Sequence, residues 1–279
     1  MQEQEYYTLY NGVKIPKIGF GTYKVTDDTA ESVLCTALLA GYRHIDTARM
    51  YGNETQVGNA IRTAGIDRKD LFLTTKVWRS ALSYDDAMRS IEASLQDLQT
   101  DYLDLCLLHW PMPEVDRDAW AEKVISAWHA MEKLYEQKVL RAIGVSNFLP
   151  HHLMPLMVAA NITPMVDQLE FHPGYTQSYA VSYCQSQGLL VEAWSPLGRT
   201  KALDDPFLLE LAQKYGKTPA QICLRFALEQ HILPLPKSSS LQRMQENLDI
   251  FDFSLTPEEV SRLMTAPQGQ WSGHHPDTF

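Results

Sequence analysis

Four side chains in this sequence have the chemistry of a proton-transfer site. Asp46 and Tyr51 stand five positions apart, one closing the run Arg43–Asp46 and the other in the loop behind it, while Lys76 and His109 each close a later apolar run. A phenol titrates near ~10 and is a poor acid at neutral pH. An ammonium ~4 Å from the phenolate would contribute on the order of 4 kcal/mol at an effective dielectric of ~20, about three pKa units, and desolvation would oppose it. On this reading Tyr51 gives a proton, Lys76 lowers its pKa, Asp46 keeps Lys76 charged and aimed, and His109 orients a substrate oxygen. Taken singly each residue is ordinary: a lone Asp at a strand end commonly caps a turn, and a lone His before Trp-Pro commonly packs. Only elements that aim all of them at one spot make them a site.

The chain supplies such elements by alternation. An Asn11-Gly12 turn between Tyr7-Thr8-Leu9 and Val13-Lys14-Ile15 predicts a β-hairpin suited to plugging the bottom of a barrel. Strands are then expected at 18–23, 43–46, 71–76, 102–108, 141–145, 165–169, 189–194 and 232–235, separated by amphipathic helical stretches. Two helical stretches follow the seventh strand, and a last helix opens at Thr256-Pro257-Glu258-Glu259. Eight strand–helix units without a linker favour a (β/α)8 TIM barrel with an N-terminal hairpin and two extra helices, over residues 1–279 as one domain. In a barrel, Asp46, Lys76, His109, Ser146-Asn147, Gln168, Trp194 and Lys237 would all ring the mouth at the C-terminal ends of the strands, where barrel enzymes work.

The bulk properties narrow the partners. The 279 residues are 45% hydrophobic and 21% charged, with a formal net charge of −10. That balance argues against nucleic acid or an anionic membrane as partner, and leaves an anionic small ligand only through a local basic cluster. Four scattered cysteines form no CxxC pair, and buried thiols are expected. No signal peptide is visible and no apolar run reaches the ~20 residues of a membrane span, so a cytoplasmic protein, and a monomer, is expected. His151-His152 and His274-His275 suggest a metal, but adjacent histidines need further ligands and no Cys or acid has zinc-like spacing, so no metal is expected. Gly19-Phe20-Gly21 lacks the third glycine of a dinucleotide fingerprint.

Several stretches together resemble the aldo-keto reductases. They are Gly41-Tyr42-Arg43-His44-Ile45-Asp46-Thr47-Ala48 with Tyr51 and Asn53-Glu54, Thr75-Lys76-Val77-Trp78, Leu107-Leu108-His109-Trp110-Pro111 and Gly144-Val145-Ser146-Asn147-Phe148. Asp167-Gln168, Trp194-Ser195-Pro196-Leu197-Gly198 and Leu235-Pro236-Lys237-Ser238 continue the match, in order, over nearly the whole chain. The resemblance implies an NADPH-dependent carbonyl reductase with Asp46, Tyr51, Lys76 and His109 as its catalytic tetrad. It implies carboxamide contacts from Ser146, Asn147 and Gln168, a nicotinamide stacked on Trp194, and contacts from Ser195, Leu197, Gly21 and Thr22 to the rest of the cofactor. Trp at position 194 is similar to the bacterial branch around 2,5-diketogluconate and glyoxal reductases.

The adenosine end has a physical rationale as well. Lys237-Ser238-Ser239-Ser240 leads into a helix carrying Arg243, and a helix N-terminus with hydroxyls and two cations suits a phosphate. The resemblance implies the 2′-phosphate of NADPH on Lys237, Ser238 and Arg243, with Glu246 and Asn247 at the adenine. Tyr23, Met50, Trp78 and Trp110, with Met112 and Trp120, would line an aromatic mouth. The short loop 111–118 predicts a shallow, open pocket for small aldehydes, dicarbonyls or keto-sugars. The alternative is a non-catalytic NADPH-binding regulatory barrel; a metal-dependent hydrolase is a third reading that lacks ligand spacing.

Overall fold

The chain opens with an antiparallel pair, β1 (Tyr6–Thr8) and β2 (Lys14–Pro16), with Tyr7 opposite Ile15. Gly12 takes a φ of 85° in the connecting turn, a backbone that a side chain would strain. In the computed structural model, which describes residues 4–26, 28–269 and 273–279 and of Lys201 only the backbone, this hairpin is tied to the body of the barrel. Tyr10 Oη donates to Thr163 O at 2.5 Å and Asn11 Nδ2 to Arg141 O at 3.0 Å. Both acceptors precede later strands, so the hairpin covers the N-terminal end of the barrel.

Eight parallel strands succeed it in sequence order. They are β3 (Phe20–Gly21), β4 (His44–Asp46), β5 (Phe72–Val77), β6 (Leu105–Leu108), β7 (Ile143–Ser146), β8 (Val166–Glu170), β9 (Leu190–Trp194) and β10 (Ile232–Pro234). Each pairs with its neighbours in parallel register. The ring closes where Gly19 N donates to Pro234 O at 3.1 Å and Gly21 N to Pro236 O at 3.0 Å. Pro234 and Pro236 have no N–H of their own, so the seam uses their carbonyls alone. A Cβ on Gly19 would stand 2.5 Å from Leu235 Cδ2 and 2.6 Å from His44 Nδ1. That close approach explains the Gly-Phe-Gly run without any phosphate loop.

The outer layer comprises α1 (Ala30–Ala40), α2 (Glu54–Ala64), α3 (Tyr84–Leu98), α4 (Trp120–Glu136), α5 (Pro150–Ala159) and α6 (Ser178–Ser186), then α7 (Pro206–Tyr215), α8 (Pro219–Glu229), α9 (Leu241–Leu248) and α10 (Pro257–Met264). Helices α7 and α10 are the two extra ones, so the (β/α)8 barrel with hairpin and two additional helices is the observed architecture. Local chemistry starts these helices. Ser83 Oγ accepts from Asp86 N at 3.2 Å, and Thr218–Gln221 and Thr256–Glu259 form reciprocal caps with Pro at the first helical position. Strand β5 is buried along all six residues, as a strand covered on both faces requires.

Two strands are shorter than the sequence predicts by three residues or more. The first is confined to Phe20–Gly21, because its other pairing is the carbonyl-only seam. The fourth begins at Leu105, not Tyr102, because the Asp104 carboxylate replaces the ladder there. Its Oδ2 accepts from Leu73 N at 3.0 Å and pairs with Arg68 Nη1 at 2.7 Å, while Oδ1 pairs with Arg141 at 2.6 Å.

Candidate active site

Asp46 ends β4, and the chain then makes a single turn of 3-10 helix, Arg49–Tyr51, before Gly52 at φ 66° and helix α2. Two buried side chains fix this excursion so that Tyr51 returns to the mouth. Asn53 donates from Nδ2 to Thr22 O at 3.0 Å and Val25 O at 2.9 Å, and its Oδ1 accepts from Thr47 Oγ1 at 2.7 Å. Glu54 accepts from Thr75 Oγ1 at 2.6 Å and from Arg49 Nη1 at 3.0 Å. Asn53 and Glu54 thus set the position of the phenol without touching it.

Lys76, near the end of β5, is enclosed and directs its hydrogens to Asp46 Oδ1 (2.6 Å), Asp46 Oδ2 (2.8 Å) and Thr47 O (2.9 Å). Burial by itself would lower its pKa, but Asp46, Tyr51 and Glu192 outweigh burial and hold it above the usual lysine value. The ammonium lies 5.2 Å from the centre of the Tyr51 ring. His109, directly after β6, meets Tyr51 edge-on at 5.7 Å between ring centres. Burial, reinforced by Lys76, holds His109 well below the usual histidine value, so the imidazole is neutral. Asp46, Tyr51, Lys76 and His109 are therefore brought together at one mouth.

The expected sign of the Tyr51 shift needs correction. Burial pushes the phenol up to about 12, and the Lys76 charge and hydrogen bond pull against it without prevailing. The packing of Tyr51 between Tyr23, at 5.1 Å, and His109 costs the phenolate more water than one ammonium restores. Tyr51 keeps its proton throughout the neutral range.

The mouth opens into a cleft of about 580 Å³ lined by Gly21, Tyr23, Met50, Trp78 and Trp110, by Ser146, Asn147, Gln168 and Trp194, and by Ser195, Leu197 and Lys237. Asn147 and Ser195 take left-handed backbone, at φ 64° and 47°, turning the chain sharply out of β7 and β9. Asn147 Nδ2 donates to His109 O at 3.0 Å and to Ser146 Oγ at 3.1 Å, and its Oδ1 accepts from Trp194 Nε1 at 2.8 Å. The Trp194 ring is thereby held as a fixed wall. Gln168 Nε2 bridges Asp46 Oδ2 at 2.9 Å and Glu192 Oε2 at 2.8 Å, which leaves the amide oxygen toward the cleft.

Other expected contacts lie beyond the lining. Thr22 is buried with its hydroxyl unpartnered. Ser238 accepts from Ser240 N at 3.1 Å beside the start of α9, where Ser240 caps Arg243 N. Arg243 is exposed, Glu246 accepts from Gln242 at 2.8 Å, and Asn247 is buried with its side chain on the Tyr42 hydroxyl. Met112 and Trp120 do not line the cleft; Trp120 packs edge-on against His152 at 5.1 Å.

The pocket is also less open than its short loop predicts, because the C-terminal tail enters it. Phe279 stacks on His274 at 3.9 Å and meets Trp110 at 4.8 Å and Trp78 at 5.9 Å. Of the stretch 271–279, Trp271 and Ser272 lie outside the described residues. Asp277 Oδ1 secures the tail, 2.8 Å from His151 Nε2 and 3.0 Å from His152 Nε2. Spacing along the chain could not bring Asp277 to these histidines; folding does. The cluster is metal-like in composition, yet His152 Nδ1 accepts the Leu149 N–H at 3.1 Å, so a neutral ring carries its hydrogen on Nε2, toward Asp277. The pair reads as a clasp.

A family model described as the Aldo/keto reductase family matches residues 17–266. The chain belongs to this family. The "uncharacterized oxidoreductase YtbE" of Bacillus subtilis (strain 168) is 45% identical over 277 residues, covering 98% of this chain and 96% of that protein. The glyoxal reductase of the same strain is 43% identical over 271 residues, covering 96% and 95%. Among solved structures, the Bombyx mori aldo-keto reductase in complex with NADP matches with a TM-score of 0.87 at 34% identity, covering 94% of this chain and 92% of that one.

For this aldo/keto reductase, sequence reasoning missed Lys24, Arg199 and Thr200, which line the cleft, and did not settle whether the tail would bring His274 and Phe279 there, as it does. They lie in loops and the tail, where no periodic pattern points inward. Glu192 was missed as well, although a charged residue inside the apolar run Leu189–Trp194 is a usable signal.

Proposed function

We propose that this reductase uses NADPH to reduce an aldehyde or ketone to an alcohol, with small aldehydes, dicarbonyls or keto-sugars as its substrates. The observation that carries the reading is the meeting of Tyr51, Lys76, Asp46 and His109 at one end of a cleft whose other wall bears Lys237. The cleft's chemistry suits a phosphorylated dinucleotide. Trp194 offers a fixed aromatic face, the Gln168 amide oxygen is free to accept, and Lys24, Arg199 and Lys237 supply cations in a chain of net charge −10. Bound there, NADPH would supply the hydride.

The residues of this chain do the rest. Neutral His109 donates a hydrogen bond to the carbonyl oxygen and orients it. Tyr51, protonated at neutral pH, delivers its proton as charge builds on that oxygen. Lys76 stabilises the phenolate left behind, and Asp46 holds Lys76 charged against burial. A pKa near 12 in the resting site keeps the donor loaded. The similarity to a glyoxal reductase at 43% identity supports small dicarbonyls, and the tail residues that narrow the mouth favour compact substrates. A cytoplasmic monomer is part of the same reading.

The test is Tyr51→Phe with glyoxal and small aldehydes. NADPH binding, followed by fluorescence titration, is expected to stay within about twofold of the parent. The reduction rate should fall by ~10²–10⁴, the usual worth of a positioned general acid. A mutant that reduced these substrates at the parent rate would leave a binding protein as the better reading. The same titration with NADH should give clearly weaker binding; equal affinity would remove the 2′-phosphate preference.

A further inference from the structure

A guanidinium beside the mouth makes no hydrogen bond among the described residues, and the reaction outlined above leaves it unused. Arg79 follows Trp78 in the single turn Arg79–Ala81 behind β5. Its side chain is only 14% exposed, and its Nε and Nη1 are buried without a hydrogen-bond partner. Glu114 keeps its Oε1 3.7 Å from Arg79 Nε, too far for a hydrogen bond, and accepts instead from Trp78 Nε1 at 2.9 Å. The neighbouring Arg117 is committed elsewhere, donating from Nη2 to Asp277 O at 3.2 Å. Burial, the largest influence, lowers the Arg79 pKa below the usual arginine value; Glu114 opposes this and Arg117 adds to it. An enclosed cation with idle donors is costly until a partner of opposite charge reaches it.

The surroundings say where that partner would come from. The Arg79 guanidinium carbon lies 4.1 Å from the centre of the Phe279 ring and 6.0 Å from that of Trp78. Phe279 lines the cleft while the guanidinium it packs on does not, so the ring covers the cation. Two routes lead from Arg79 to the reacting end. Trp78 forms one, with its ring 5.1 Å from that of His109; Phe279 and Trp110 form the other, 4.8 Å apart, with Trp110 stacked 6.4 Å from His109. A molecule touching both His109 and Arg79 must therefore cross an apolar, aromatic stretch and end in a negative charge. A guanidinium over an aromatic ring is held less strongly than one that donates two N–H groups to a carboxylate. Such a group can take the place of Phe279.

We propose that Arg79 is the specificity residue for oxo acids: a substrate with its carbonyl at His109 runs along Trp78 and sets a distant carboxylate on the guanidinium, displacing the Phe279 ring. The proposal rests on the carbonyl reduction described above and names its substrate class, aldehydes or ketones whose acid group lies several carbons from the carbonyl. The carboxylate takes no part in the bond changes at the carbonyl; it fixes the far end of the molecule. The indoles of Trp78 and Trp110 suit the methylene groups between the two ends. Arginine fits the role because it stays charged at every working pH and presents a planar fork.

The probes are adipic semialdehyde and its methyl ester, which share the carbonyl and the spacer and differ in charge at the far end. With saturating NADPH, kcat/KM of the parent should be about tenfold or more higher for the acid than for the ester, mainly through KM. Arg79→Met should bring that ratio close to one. Damage to the fold or to the reaction lowers both probes together, so the ratio reads the carboxylate contact alone. Arg79→Lys, which keeps the charge and loses the fork, should fall between the two. A parent that treats acid and ester alike, or an acid preference that survives in R79M, overturns the proposal. Phe279→Ala should lower KM for the acid more than for the ester; a KM raised for the acid alone would overturn the displacement of the ring. Hexanoate and hexanamide separate the contact from the reaction. In calorimetric titrations with NADPH present, hexanoate should bind the parent at least about fivefold more tightly than R79M, while hexanamide binds both alike. If no variant reduced any carbonyl, the reaction itself would be misread, and the titration would still decide whether Arg79 takes a carboxylate. Equal binding of hexanoate by both proteins would overturn that assignment.

Discussion

Lys76 is the residue on which the site's electrostatics turn. It is fully enclosed and burial pulls its pKa down, yet Asp46, with both carboxylate oxygens on the ammonium, and then Tyr51 and Glu192 hold it above the usual lysine value. Lys76→Met would leave Asp46 buried with only Gln168 for a partner. Removing one member of such a pair costs about 3–5 kcal/mol, most of it for the stranded charge. Urea denaturation should register a loss of that size together with the loss of reduction, and a penalty under about 1 kcal/mol would mean that solvent reaches Asp46. The positions of Asp46, Lys76 and His109 were legible because each closes a strand, and strand ends in a barrel converge. The sign of the Tyr51 shift was not, because it depends on how tightly Tyr23 and His109 enclose the ring. Glu192 stayed hidden for a related reason: in an apolar strand pattern the eye counts Val191 and Ala193 and passes over the acid between them.

At the scale of elements, the C-terminal tail is the segment with the clearest independent role. Its described residues, 273–279, form no helix or strand; the His151–Asp277–His152 contacts hold it, and Arg79 lies over the Phe279 ring at 4.1 Å. Asp277→Ala should release it and widen the mouth. The ratio of kcat/KM for a bulky aromatic aldehyde over glyoxal is then expected to rise about tenfold, equivalent to about 1.4 kcal/mol of steric discrimination. An unchanged ratio would show that Phe279 holds its place without the clasp. Helices such as α3, α8 and α10 could be read from Ser83, Thr218 and Thr256, where the capping chemistry is local. The tail could not, since the partners that fix it are more than a hundred residues away in the chain.

For the whole molecule, the decisive arrangement is the ring. The eight-fold alternation was visible in sequence because each strand and helix carries its own period. The place where the ring shuts was not, since Pro234 and Pro236 argue against a central strand when read alone. They work because the partner amides come from Gly19 and Gly21. Gly19→Ala would drive a methyl group into Leu235 and the His44 ring. A cost of about 1–3 kcal/mol is expected from overpacking of this kind, measured as a shift in the urea midpoint; no shift would mean that the seam yields easily.

That seam also joins the earliest strand to the latest, and the cleft runs directly across it. Gly21 contributes from one lip, and Leu235, Pro236 and Lys237 from the other. An occupant of the cleft therefore acts as a bolt through the two ends of the staves, tightening the cylinder while it stays in place. A ligand that spans this line of contact is expected to stabilise the ring that Gly19 and Gly21 already close.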